Sequence, residues 1–253
     1  MFDQIRQTYR ASRKQKDIFW NIYVARPIAA AVLQVVPRGV TPNQVTFAAL
    51  GAAALAGVTL ALWRTWTGLV VGAVLLEASY VLDCVDGQLA RLRGQTTPVG
   101  AHLDFLMDEL KAFLYVSAIA LRLWLSTDRA LYLIVGLLGL AAVAGAISLT
   151  TFMRRPEYLA TGGAPAAPGA APAGGGSPVA QAVRLVEAGG RWIVHYPSYF
   201  LYLALLNFVE GYFFVYLAAH VLYLGRALLQ IVMRLARPGA TPKAAAPPEE
   251  RVS

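Results

Sequence analysis

Charge is scarce in this chain: of 253 residues only 14% are Asp, Glu, Lys or Arg, while 57% are hydrophobic. That balance is too apolar for an ordinary soluble domain. Cysteine is nearly missing, and the single Cys84 excludes an internal disulfide and a thiolate metal cluster. No internal repeat is evident, which removes support for an inverted-repeat transporter. No cleavable signal is expected, because the first twenty residues are polar and basic and lack a small-residue cleavage site after an apolar core. The net charge of +8 raises nucleic acid as a partner. The basic residues flank apolar stretches, however, and form no stripe with interleaved aromatics, so anionic lipid headgroups are the expected partner and nucleic acid is not.

What the chain has in quantity is apolar runs of bilayer-spanning length, roughly 20 residues each. Residues 45–63 and 130–153 contain no charge, and 67–82 carry only Glu77. Residues 112–121 extend a helix that begins in an aspartate-bearing turn, and 192–209 and 212–233 make a final pair. The expected fold is therefore all-α and polytopic, with six transmembrane helices. Placing the N-terminus inside puts Arg6, Arg10, Arg13, Lys14, Lys16, Arg91, Arg93, Arg154, Arg155, Arg234 and Arg237, among others, on the cytoplasmic side. Arg64, Lys111, Arg122 and Arg129 fall elsewhere. Both termini are expected to be cytoplasmic.

Residues 1–40 mix basic side chains with Phe19, Trp20, Ile22, Tyr23 and Val24, a pattern that suits an amphipathic helix lying in the interface. A plain cytosolic helix is the alternative. The six-helix catalytic domain is expected over 41–236. It is interrupted by the Gly/Ala/Pro-rich stretch 160–178, read as a flexible cytoplasmic linker, and followed by a disordered tail over 237–253.

Between residues 83 and 108 the chain reads DCVDGQLARLRGQTTPVGAHLDFLMD. Carboxylates at membrane depth are costly and mark function. On a helix Asp83 and Asp86 lie about 60° apart, with Gly87 and Ala90 on the same face, and Gly100, Asp104, Asp108 and Lys111 share a stripe about 80° wide on the next helix. A connection of about ten residues makes the two helices antiparallel, with both acidic faces at one end. Four clustered carboxylates repel unless a cation neutralises them or some are protonated. Hard divalent ions with oxygen ligands answer this, Mg²⁺ in particular because it pairs carboxylates with substrate phosphates, and two metals could clamp a diphosphate. One carboxylate could be left as a base toward an alcohol. The competing reading is that the acids cap helix ends or pair with Arg91, Arg93 and Lys111.

Asp83, Asp86, Gly87, Ala90, Arg91, Gly100, Asp104 and Asp108 match the signature D-x2-D-G-x2-A-R-x8-G-x3-D-x3-D at every fixed position, so the chain resembles the CDP-alcohol phosphotransferase family. Thr41, Pro42, Asn43 and Thr46 look like the TPNxxT segment that opens the first span in that family. The resemblance implies that an acceptor alcohol attacks the β-phosphorus of a CDP-alcohol and CMP leaves. Asp83, Asp86, Asp104 and Asp108 would ligate Mg²⁺ or Mn²⁺ in a two-metal site, and Asp108 would also serve as base. Gly87, Ala90, Arg91 and Gly100 would border the nucleotide, with Asn43 and Thr46 lining the same cavity or serving only as a helix cap and turn. CDP-diacylglycerol is the expected donor, with CDP-choline or CDP-ethanolamine types open. Family likeness also fits a homodimer, and the plasma membrane of a prokaryote is the expected location.

For the acceptor, Arg155 in RRPEY resembles the Arg of an A-R-x-E segment found in members that use phosphorylated acceptors, although Arg154 stands where that segment has Ala. An inositol phosphate or glycerol phosphate would suit Arg155, with Arg184 or Arg191 as further candidates, against ordinary positive-inside charge as the competing reading. A membrane prenyltransferase is disfavoured because its two aspartate motifs usually lie far apart. A cation transporter is disfavoured because the signature's Gly, Ala and Arg would have no purpose there.

Overall fold

The structure, a computed structural model, describes residues 2–12, 19–155, 158, 189, 195 and 199–235. Among these residues every regular element is helical. In chain order they are α1 (Phe2–Ser12), a π-helical turn (Asn21–Ala25) running into α2 (Arg26–Val32), α3 (Pro42–Leu62), α4 (Trp66–Leu92), α5 (Pro98–Thr127), α6 (Leu131–Met153), α7 (Phe200–Leu205) and α8 (Val209–Leu235). Five of them, α3, α4, α5, α6 and α8, are long and apolar enough to cross a membrane, which agrees with an integral membrane protein.

Three consecutive long helices start on a threonine. Thr41 accepts from the amide of Gln44 while the Gln44 side chain accepts from the Thr41 amide, a reciprocal capping box before Pro42. Thr65 accepts from the Gly68 amide at 3.2 Å and Thr97 from the Gly100 amide at 3.0 Å. Each cap satisfies an amide that the helix leaves without a partner. At its other end α4 stops in a Schellman arrangement: the Gly94 amide donates to the Arg91 carbonyl and the Gln95 amide to the Ala90 carbonyl, with Gly94 at φ 63°. The connection to α5 is therefore only residues 93–97, tighter than the ten or so expected from sequence.

Six spans were expected; of the fifth, 192–209, residue 195 and residues 199–209 are described, and the others lie outside the described residues. Between Tyr199 and Phe208 the chain forms the six-residue α7, which ends before Asn207 takes φ 55°. The linker 160–178 and the tail 237–253 also lie outside the described residues. The single helix anticipated over 1–40 is divided between α1 and α2. On the second piece Asn21, Ala25, Ala29 and Ala30 are buried, while Phe19 and Tyr23 are exposed, so one face of it docks on protein.

Contacts divide the chain into two units, Met1–Leu140 with His195–Tyr216, and Ala141–Val194 with Leu217–Ser253. In the first, α3 packs along both α4 and α5, and α2 packs on α4. Gly72 on α4 permits the α3 contact, since a Cβ there would lie 2.5 Å from Leu60 Cγ. The Ser79 hydroxyl on α4 donates to the Ala49 carbonyl on α3 at 2.7 Å. Ala25, Ala29, Val45, Cys84, Val85 and Leu89 form a buried cluster, and Cys84 is thereby accounted for as a core side chain. In the second unit, the Gly145 position on α6 lies against Leu224 of α8.

Arg122, one of the charges that departed from the cytoplasmic pattern, is 7% exposed on α5. Its guanidinium donates to the carbonyls of Leu60, Trp63, Arg64 and Thr65 at 2.8–3.0 Å, holding the end of α3 and the turn into α4. Hydrogen bonds from a charged donor are each worth more than neutral ones, and losing the donor orphans buried acceptors. Arg122→Met is expected to lower the unfolding free energy by about 3 kcal/mol, read as a fall in the melting temperature of detergent-solubilised protein. An unchanged melt would contradict that bracing role.

Candidate active site

The Schellman turn at Gly94 and the Thr97 cap bring the Leu92 end of α4 close to the start of α5. Here Asp83, Asp104 and Asp108 each offer a carboxylate oxygen, and these oxygens all lie within 4.8 Å of one another. Asp83 and Asp104 are half-buried, whereas the Asp108 side chain is 59% exposed. Lys111, one turn beyond Asp108, is buried, and its ammonium donates to Asp83 and, at 3.1 Å, to Asp108. Three hard carboxylate donors from two helices form a set that fits a divalent oxygen-seeking cation.

Asp86, the fourth expected ligand, is not one of those three. It is 5% exposed and accepts a hydrogen bond from the Thr46 hydroxyl of α3 at 2.6 Å. That contact is shorter than the 3.1 Å from the same hydroxyl to the Pro42 carbonyl, and a hydroxyl has one proton to give, so Asp86 takes it. Thr46 therefore reaches the acidic group directly. Asn43 is exposed at the second position of α3, and the cap of that helix is Thr41.

Gly87, Ala90 and Arg91 continue the α4 stripe toward its end. A Cβ at Gly87 would lie 3.3 Å from Arg91 Nη1, so the guanidinium folds back over the bare backbone at Gly87. Arg91 Nε donates to the Ser12 carbonyl at 2.6 Å and Gln88 Nε2 to the Arg26 carbonyl at 3.0 Å, while the Ser12 hydroxyl lies 3.1 Å from Gln88 Oε1 and 2.8 Å from the Thr8 carbonyl. The end of α1 is thereby fastened to the face of α4 that carries Gly87 and Arg91. Gly100 lies in the first turn of α5 with its amide held by Thr97. Arg155 is exposed in the turn after α6, within the second unit. Arg184 and Arg191 lie outside the described residues.

Sequence reasoning missed a polar chain one turn from Asp83. The Tyr80 hydroxyl donates to Asn21 Oδ1 and lies 2.9 Å from His195 Nε2. The signal for Tyr80 was its position three residues before Asp83 in an apolar run, whereas nothing local marks His195 as its partner.

Residues 39–186 match the family profile described as CDP-alcohol phosphatidyltransferase. Phosphatidylinositol phosphate synthase of Mycolicibacterium smegmatis is 37% identical over 90 residues, covering 35% of this chain and 37% of that protein. Archaetidylinositol phosphate synthase of Aeropyrum pernix is 33% identical over 97 residues, covering 38% of this chain and 46% of that protein. The bifunctional IPC transferase and DIPP synthase of Thermococcus kodakarensis is 30% identical over 124 residues, covering 49% of this chain and 27% of that protein. The matched region thus spans less than half the length of each of these relatives. With its full aspartate signature carried on α4 and α5 and more than half its length matched by the profile, this chain belongs to the CDP-alcohol phosphatidyltransferase family.

Proposed function

We propose that the chain is an integral membrane phosphotransferase that moves the phosphatidyl group of CDP-diacylglycerol onto a phosphorylated polyol, inositol phosphate first among them, with release of CMP. The observation that carries this reading is the convergence of the Asp83, Asp104 and Asp108 oxygens to within 4.8 Å across α4 and α5. The acceptor is drawn from the inositol-phosphate products named for two of the relatives and from Arg155, assigned to the acceptor phosphate by resemblance.

In this reading Asp83, Asp104 and Asp108, joined by Asp86, hold Mg²⁺ or Mn²⁺ as a pair of ions. When bound, the cations neutralise the carboxylates and stabilise charge on the diphosphate oxygens. Asp108 is the most open of the three clustered acids, hence the one an incoming hydroxyl can reach, and it takes the hydroxyl proton. The acceptor oxygen bonds to the β-phosphorus while the bond from that phosphorus to the bridging oxygen breaks, and CMP departs with the bridging oxygen. Gly87, Ala90 and Gly100 leave room for the nucleotide, Arg91 offers its Nη atoms to phosphate oxygens, and Asn43 and Thr46 close the α3 side. The site faces the cytoplasm, with exposed Phe19 and Tyr23 at the headgroup layer.

The test is CMP release and labelled lipid formation in membranes given CDP-diacylglycerol with inositol phosphate, glycerol phosphate, serine or inositol. Inositol phosphate is expected to give the product. Transfer from CDP-choline to diacylglycerol, with none from CDP-diacylglycerol, would replace this reading with its closest rival. Absence of CMP release from every donor would leave an ion-pathway role for the acids.

A further inference from the structure

Lys111 has no place in the family signature, yet it occupies the centre of the charge cluster. Its side chain is 5% exposed and its ammonium is shared between Asp83 on α4 and Asp108 on α5. A lysine three residues from Asp108 on the same helix cannot withdraw far, and an ammonium buried in a membrane-spanning helix has nowhere cheaper to go than these carboxylates. Asp83 and Asp108 are also the pair expected to bind cation across the two helices.

We propose that Lys111 acts as a built-in cation that makes the second divalent ion conditional on the donor: the empty-handed enzyme takes one ion, and the second enters together with the diphosphate. This rests on the reading of the aspartates as a metal site given above. The charges decide the order. In the deprotonated form that ligation of a divalent ion requires, the four carboxylates together with the Lys111 ammonium beside Asp83 and Asp108 carry three negative charges. One divalent ion reduces this to one, whereas a second would turn the site positive against a lysine a few ångströms away, a repulsion that is strong where water is sparse. A diphosphate bridge carries a negative charge on each phosphate and restores the deficit, so the second ion becomes favourable when the donor arrives. Lys111 is in this sense a positioning residue for cation and donor, and the acids alone would load both ions without regard to substrate.

The experiment is Mn²⁺ titration of the detergent-solubilised full chain by EPR, with and without CDP as the diphosphate probe. The wild type is expected to bind one ion alone and two with CDP. Lys111→Met is expected to bind two in either condition, its second site tightening by about tenfold or more in the absence of CDP. Lys111→Gln, close in length and uncharged, gives an independent second measurement, and Lys111→Arg should keep the wild-type pattern. Two ions on the wild type without CDP, or one ion on both uncharged variants without CDP, would overturn the proposal. No Mn²⁺ bound by the wild type in either condition would instead overturn the metal reading beneath it, so the two failures are told apart.

Discussion

Asp108→Asn is expected to lower CMP release by about 10³-fold or more while leaving CDP-diacylglycerol affinity within a few-fold of wild type. The amide has nearly the same shape, and Asp83 and Asp104 still converge on the same point. What it cannot do is accept the acceptor's proton. The 59% exposure of Asp108, against 14% for Asp83, places the loss on the step in which the hydroxyl arrives. The measurement is kcat with a phosphorylated acceptor, alongside donor binding by equilibrium filtration. If raising Mn²⁺ restored turnover in the variant, Asp108 would be a ligand only and the base assignment would fall.

Chelation of divalent metal should abolish transfer, by at least about 10³-fold, since several kcal/mol of charge stabilisation are withdrawn and each 1.4 kcal/mol is tenfold. Without cations the donor's diphosphate meets a net negative site and is repelled. The fold itself should survive, because Lys111 continues to hold Asp83 and Asp108. Assays with EDTA, then with Mn²⁺ added back, should show loss and recovery of CMP release with a melting temperature shifted by only a few degrees. Undiminished transfer in EDTA would contradict the metal's part in the reaction, and outright unfolding would contradict the compensating role of Lys111.

Much of the site was legible in the residues because its information is local. Asp83 to Asp108 span one helix end, one turn and one helix start, so spacing alone sets which side chains share a face. The cap of α3 was less legible: Asn43 stood as the cap candidate, and the structure gives that place to Thr41, paired with Gln44. What spacing could not give was partners from distant chain segments. That Asp86 would turn to Thr46 and that Arg91 would be tied to Ser12 depends on how α3 and α1 lie against α4, separations of 40 and 79 residues. Arg122 looked like a breach of charge asymmetry, and only the four carbonyls around it give its reason. The fifth span, expected over 192–209, is described only at 195 and from 199 onward, where α7 ends before Asn207 takes the left-handed region, a stop that an apolar window does not register.

The most direct test is an anomalous difference map from crystals of the protein grown with Mn²⁺ and CDP. Peaks lying among the carboxylates of Asp83, Asp104 and Asp108, and touching the CDP diphosphate, are the expected result. A catalytically competent crystal with the diphosphate seated elsewhere and no peak among those acids would contradict the assignment of this cluster as the transfer site.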